Sequence, residues 1–134
     1  MWADDAASQA MGMAIDEVRP GYARLSMAVR SDMVNGHGIC HGGFVFALAD
    51  SAFAFACNSY NRSTVAQACD IVYVSAARLN DELVAEAVER TRYGRNGVYD
   101  VSVRHAGADE EFVALFRGRS REIGGTLVPE EPGR

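Results

Sequence analysis

The sequence predicts an α+β fold in which one curved antiparallel sheet wraps a single long central helix. Three observations carry that expectation. Residues 44–57 are Phe, Val, Leu, Ala and Cys throughout, apart from Ser51 and one acid, Asp50. Alanine and leucine favour helix, and a run of this length exceeds a typical buried strand. On both sides lie shorter stretches that read as strands, some alternating apolar with polar residues as half-buried strands do. Their order is strand, strand, helix, then four strands, which one antiparallel sheet around one helix accommodates.

Taken in order, residues 3–11 are alanine-rich and read as a short helix that Gly12 stops. Residues 13–18 read as a first strand, broken at Arg19-Pro20-Gly21, a turn signal. In residues 22–29 Leu25, Met27 and Val29 face one way, with Arg24, Ser26 and Ala28 facing the other. The glycine-rich loop 35–43 then leads into the apolar helix. After a polar connection at 58–63, strands are expected at 65–74, 83–92 and 98–104. The last two are joined through Gly94-Arg95-Asn96-Gly97, with Asn96-Gly97 as the signal for a primed hairpin turn. A turn at 106–111 precedes a final strand, 112–121, with Phe112, Ala114 and Phe116 on one face. The whole chain, 1–134, is read as one domain, with 1–11 as an N-terminal helical arm and 124–134 as a loose tail.

Composition narrows the function. Hydrophobic residues make up 49% of the chain and charged residues 23%, the balance of a globular domain with a real core. No apolar run reaches the length that spans a bilayer, and the first residues show neither a basic nor an apolar signal region. Cys40, Cys57 and Cys69 are odd in number and show no paired spacing, which points to a reducing, cytoplasmic setting. A net charge of −5 disfavours nucleic acid and anionic membranes as partners. All thirteen cations are arginine, so Schiff-base chemistry and a P-loop lysine are excluded. Seven of these arginines lie between Arg90 and Arg121, where they can serve phosphate binding or simply solvate strand faces.

Asp50 is the anomaly of the sequence. A helix apolar all round is buried on every side, and a carboxylate there is costly unless it has a partner or a task. A single sheet would leave the far side of such a helix open, so a second copy of the chain is expected to cover it.

Asn35, His41-Gly42-Gly43, Leu48-Ala49-Asp50, Gly97-Val-Tyr-Asp100, Ala114-Leu-Phe-Arg-Gly118 and Ile123-Gly-Gly125 together resemble the hot-dog-fold acyl-CoA thioesterases. The likeness is greatest to the phenylacetate-degradation, PaaI-type branch and runs over residues 10–127. It implies a hot-dog fold and hydrolysis of an acyl-CoA, with an arylacetyl-CoA such as phenylacetyl- or hydroxyphenylacetyl-CoA as substrate. It also implies a homotetramer built from dimers with shared active sites. CoA belongs to the substrate, and no cofactor or metal is implied. Asp50 is implied as the catalytic carboxylate, acting as nucleophile or as general base on water. Gly42 is implied as an oxyanion N–H donor, Asn35 as placing water or the carbonyl, and His41 as orienting the loop. For His41 a plain capping role, and for Asn35 a plain turn role, stand beside these. Contacts to the rest of the substrate fall to Gly43, Arg92, Arg95, Asn96, Arg117, Gly118 and Arg119. Ala68 stands where related enzymes place a Ser or Thr facing the carboxylate.

Physical chemistry agrees with the oxyanion assignment, since unpaired N–H groups and the helix dipole meet at such an N-terminus. It also sets a constraint. Gly42 and Asp50 are eight residues apart, about 12 Å along a helix. One carbonyl within about 3 Å of the Gly42 N–H cannot also touch Asp50. Either one assignment is wrong or Asp50 comes from a neighbouring subunit, and the shared site of the resemblance is the second case. A hot-dog dehydratase or hydratase, and a non-catalytic acyl-CoA binding module, are the other readings.

Overall fold

The computed structural model describes residues 1–108 and 111–129. Strands β1 (Ala14–Arg19), β2 (Tyr22–Ala28), β3 (Thr64–Tyr73), β4 (Glu82–Tyr93), β5 (Asn96–His105) and β6 (Phe112–Glu122) form a single sheet. Every pairing is antiparallel, and the spatial order is β1-β2-β4-β5-β6-β3. A short helix α1 (Ala6–Ala10) precedes the sheet, and the long helix α2 (Gly42–Cys57) crosses its inner face.

The core lies between α2 and the inward residues of the sheet. Leu25 and Met27 of β2, Leu83, Ala85 and Ala87 of β4, and Tyr99, Val101 and Val103 of β5 are all buried there. Phe53 is the aromatic centre, with ring centroids 5.6 Å from Tyr99 and 5.8 Å from Phe116. Gly118 of β6 lies beneath it, and a Cβ on that glycine would stand 2.7 Å from the Phe53 ring. The absence of a side chain at 118 therefore lets the helix approach the sheet.

Two turns of the sequence reading shift. The hairpin between β4 and β5 turns at Gly94-Arg95, because Tyr93 already pairs with Asn96. Gly94 has φ +58° while Arg95 keeps a negative φ. One positive φ at the first central position is the type II′ solution, which needs glycine there. The expected turn at Asn96-Gly97 therefore sits two residues too late. Gly97 is a strand residue whose Cβ would lie 2.8 Å from Ser120 Oγ and 2.9 Å from the Tyr99 ring. In β6 a register break opposite Val103 and Arg104 turns Phe112 outward and Val113 inward. The face shared by Ala114 and Phe116 continues through Gly118 and Ser120 instead. Of the expected turn at 106–111, residues 109 and 110 lie outside the described residues.

The N-terminal arm returns to the helix. Trp2 packs on Phe55, and Ser8 Oγ lies 2.9 Å from Ser51 Oγ. Residues 124–129 are held rather than loose. The side-chain carbonyl of Asn61 accepts the Leu127 and Val128 N–H groups at 3.0 Å each, and its amide donates to the Val128 carbonyl at 3.1 Å. Residues 130–134 lie outside the described residues.

Helix α2 is not buried on every side within one chain. Gly43, Phe46, Ala47, Asp50 and Ala54 form a stripe that stays partly exposed. The neighbouring edge strand β3 is the most exposed of the sheet, with Val65, Val72 and Tyr73 at 45%, 60% and 51% of their full exposure. No helix among the described residues is long and apolar enough to cross a membrane.

Candidate active site

At the N-terminus of α2 the first three amides can be accounted for. His41 is the N-cap, and its Nδ1 accepts the Gly43 N–H at 2.9 Å. Its carbonyl accepts the Phe44 N–H at 3.0 Å. An Nδ1 that accepts puts the ring proton on Nε2. Gly42, the first helical residue, is left with an N–H that meets no acceptor among the described residues. A free N–H at the positive end of a helix dipole is what a developing oxyanion needs.

The loop that delivers this end is built by Asn35. Its side-chain oxygen accepts the His37 and Ile39 N–H groups at 2.9 and 3.3 Å, and its own N–H donates to the Ile39 carbonyl at 2.8 Å. Asn35 therefore has the turn role, and it also lines a cavity of about 280 Å³ together with Gly42, Val45 and Tyr73. Tyr73 went unnoticed in the sequence. Its hydroxyl donates to the Gly42 carbonyl at 3.0 Å, and its ring lies 3.0–3.2 Å from where a Gly42 Cβ would be. A Cβ at 42 would therefore press on the half-exposed Tyr73 ring and shift it by a few tenths of an ångström, so glycine lets that ring sit against the start of the helix.

Asp50 opens onto a second cavity, of about 420 Å³, whose walls include Phe53, Ala54, Val65, Ala66, Ile123 and Leu127. Burial raises its carboxyl above the ordinary carboxylate value. No hydrogen-bond donor reaches it among the described residues, so the acid is half-buried without a partner. The constraint drawn from helix geometry reappears as two separate openings within one chain. Burial also raises all three thiols, Cys57 to about 12, which leaves them protonated and poor nucleophiles.

The strand facing Asp50 differs from simple alternation. A bulge between Ala66 and Ala68 makes Gln67 the extra residue. Ala68 pairs with Arg119 and shares the outer face with Asp70 and Arg117, away from the helix. Ala66, on the cavity wall, and Cys69, which feels the Asp50 charge, are the residues that face the carboxylate. No local sequence signal marks a bulge of this kind, and the same holds for Ile123 and Leu127 arriving from the tail.

The residues assigned to the rest of the substrate separate into groups. Arg92, Arg95 and Asn96 meet around one small hollow at the β4–β5 hairpin. Arg92 is stacked on Tyr60, with its guanidinium 3.7 Å from the ring centroid, while Arg95 projects from the turn. Arg119 lies on the outer face of β6 and is exposed. Two of these residues have other contacts within the chain. Arg117 grips Asp100 with Nε at 2.6 Å and Nη2 at 2.9 Å, so its fork is already filled by a carboxylate. That hydrogen bonding, with Arg90 on the other side, holds the Asp100 carboxyl down to about 2. Gly118 faces inward against Phe53 and packs on the core. Gly43 is exposed beside His41, with its N–H already engaged in the cap. Among the described residues no three His, Cys, Asp or Glu side chains gather as metal ligands.

Residues 37–111 match the sequence profile of the Thioesterase superfamily. The acyl-coenzyme A thioesterase PaaI of Escherichia coli (strain K12) is 42% identical over 130 residues, which are 97% of this chain and 91% of that protein. The structure of the E. coli PaaI protein from the phenylacetic acid degradation operon superposes with a TM-score of 0.90 at 43% identity, covering 94% of this chain and 90% of that one. A mutant of the phenylacetic acid degradation protein PaaI from Thermus thermophilus gives a TM-score of 0.81 at 36% identity, covering 87% of this chain and 97% of that one.

Proposed function

This chain belongs to the thioesterase superfamily, and from that premise we propose that it hydrolyses acyl-CoA thioesters to a free acid and CoA. The observation that carries the reading is the pair of groups spaced along α2. Among the described residues its N-terminal end has an unengaged N–H, at Gly42, and its middle has a half-buried carboxylate with no hydrogen-bond partner, Asp50. The Gly42 N–H takes the negative charge that forms on the thioester oxygen. Asp50 supplies the attacking electron pair, as nucleophile or through a water that it deprotonates. The C–S bond then breaks, and CoA leaves as a thiolate that takes up a proton; where Asp50 itself attacked, a water opens the resulting acyl anhydride, which releases the acid and restores the carboxylate.

The substrate proposed is an arylacetyl-CoA, such as phenylacetyl- or hydroxyphenylacetyl-CoA. Support comes from the apolar walls of the cavity beside Asp50, which suit a ring-sized group, and from the names of the relatives. For the CoA phosphates the proposal keeps Arg92, Arg95 and Asn96 at the hairpin, with Arg119 on the outer face. No cofactor takes part. His41 is engaged as a helix cap rather than paired with an acid, which argues against a dehydratase.

The site is proposed to be shared across a homodimer. The exposed stripe of α2 and the exposed apolar edge β3 adjoin one another, and an unprotected edge strand is a template for pairing with another chain. Likeness to PaaI-type enzymes extends this to a homotetramer of two such dimers. Three free cysteines support a reducing, cytoplasmic setting. The deciding measurement is free-thiol release from phenylacetyl-, hydroxyphenylacetyl-, benzoyl- and straight-chain acyl-CoAs. Turnover with the aryl substrates is expected, and no thiol release from any of them would overturn the reading.

A further inference from the structure

We propose that Tyr73 is a positioning residue for the oxyanion donor, its hydroxyl fixing the glycine pair whose first N–H is free. The proposal rests on the thioesterase reading of Gly42. Gly42-Gly43 is the most flexible dipeptide that a helix could start with, since neither residue has a side chain to restrict it. A donor aimed at a transition state must nevertheless be held still.

The structure holds it by three contacts on two successive peptide units. The carbonyl of the His41–Gly42 peptide accepts the Phe44 N–H at 3.0 Å. Because that peptide is planar and trans, its N–H, the free one of Gly42, is directed the opposite way. The next peptide, Gly42–Gly43, is gripped at both ends. Its N–H donates to His41 Nδ1 at 2.9 Å, and its carbonyl accepts the Tyr73 hydroxyl at 3.0 Å. The Tyr73 ring lies over the Gly42 Cα as well, occupying the space of a Cβ.

Tyr73 is placed for this task by its strand. It is the last residue of β3 and pairs with Ala114, whose small side chain lets the ring lean toward the helix. Directly after it, the Val74 and Ser75 N–H groups both reach the Val113 carbonyl, at 2.8 and 3.2 Å, and secure the strand end. Half of the tyrosine remains exposed, so its hydroxyl is not there to satisfy a buried phenol. It reaches a helix carbonyl while still in contact with solvent.

The test is Tyr73→Phe, which removes one oxygen and keeps the ring. Losing one neutral hydrogen bond predicts a kcat about fivefold lower, with KM for the best acyl-CoA unchanged. In the same variant, hydrogen exchange of the Gly43 amide, followed by NMR on labelled protein, is expected to accelerate severalfold. Amides of β4 and β5 serve as the control for global stability and should not change. An active wild type whose Tyr73→Phe variant keeps full kcat, or raises KM instead, overturns the proposal. A wild type inactive on every acyl-CoA would sink the thioesterase reading. In that case Gly43 exchange still decides the hold of Tyr73 on the glycine pair, and unchanged exchange overturns it.

Discussion

Gly42 and Asp50 lie eight residues apart on α2 and open onto two different cavities of the same chain. At about 1.5 Å of rise per residue, no single thioester carbonyl reaches both. Two inactive variants can therefore complement each other. Gly42→Pro removes the N–H at the first helical position, where the backbone tolerates proline, and its Cβ has room once the half-exposed Tyr73 ring moves by a few tenths of an ångström. His41 already has the extended backbone that a following proline requires, at φ −58° and ψ 132°. Mixed with Asp50→Asn under subunit exchange, it should restore activity approaching about a quarter of wild type by random pairing. Exchange proven by mass spectrometry between two folded variants, with no activity regained, would rule out the shared site.

Asp50→Asn alone should lower kcat by about a hundredfold or more, as expected for loss of a principal catalytic group. Its stability should move the other way. Burial raises the carboxyl above its ordinary value of 3.8, so between those two values the folded chain keeps a proton that the unfolded chain has released. Stability therefore falls as pH rises through that window. The variant lacks this loss, and its Tm should exceed that of wild type at neutral pH, with the gap closing below pH 3.8. In the wild type the acid limb of kcat/KM should lie above the same value. A variant less stable than wild type at pH 7 would contradict the account.

Arg95 and Arg117 should behave differently although both are exposed arginines of one cluster. Arg95→Ala is expected to raise KM severalfold with little change in kcat, the mark of binding remote from the reacting bond. Raising salt should weaken CoA binding less in this variant than in wild type. Arg117→Ala should leave KM unchanged, since its fork is filled by Asp100. Steady-state kinetics at two ionic strengths checks both, and equal KM effects would return Arg117 to the substrate.

Gly118→Ala distinguishes a packing glycine from a ligand contact. The added methyl would meet the Phe53 ring at 2.7 Å. Overpacking of this kind costs about 1–3 kcal/mol, so denaturant unfolding should show that loss. The KM of the surviving folded enzyme should match wild type.

Much of this was legible in the sequence because it depends on local pattern. The run of apolar residues with one acid located α2 and Asp50, and alternation located the strands, since burial on one face leaves a period of two. His41-Gly42-Gly43 marked the helix start, where capping and glycine are both read from residue type. What stayed hidden depends on register or on distant partners. Alternation counted back from Asp70 cannot show that a bulge at Gln67 exchanges Ala68 for Ala66 beside the carboxylate. Asn96-Gly97 carried the stronger turn signal, yet Gly97 is needed against Ser120 and Tyr99, so the turn falls to Gly94. Arg117 resembled its neighbours until Asp100, seventeen residues earlier, was found beside it. Tyr73 had no mark at all, because its role depends on a helix thirty-one residues away.

The clip that Asn61 places on Leu127 and Val128 separates two boundaries that usually coincide. The sheet is complete at Glu122, and none of the described residues after it belongs to a helix or strand. Ile123 and Leu127 nevertheless form part of the wall around Asp50. The sheet and the wall around Asp50 therefore end at different residues. A chain cut after Glu122 keeps every residue of the sheet but loses the Ile123 and Leu127 side of the cavity, so the carboxylate is expected to sit on an open ledge wetted by bulk water. Circular dichroism is expected to change little, and a loss of affinity for apolar acyl groups is the expected mark of the missing wall. Asn61 sustains that wall from a backbone φ of +56°, a conformation that asparagine adopts more readily than most side chains.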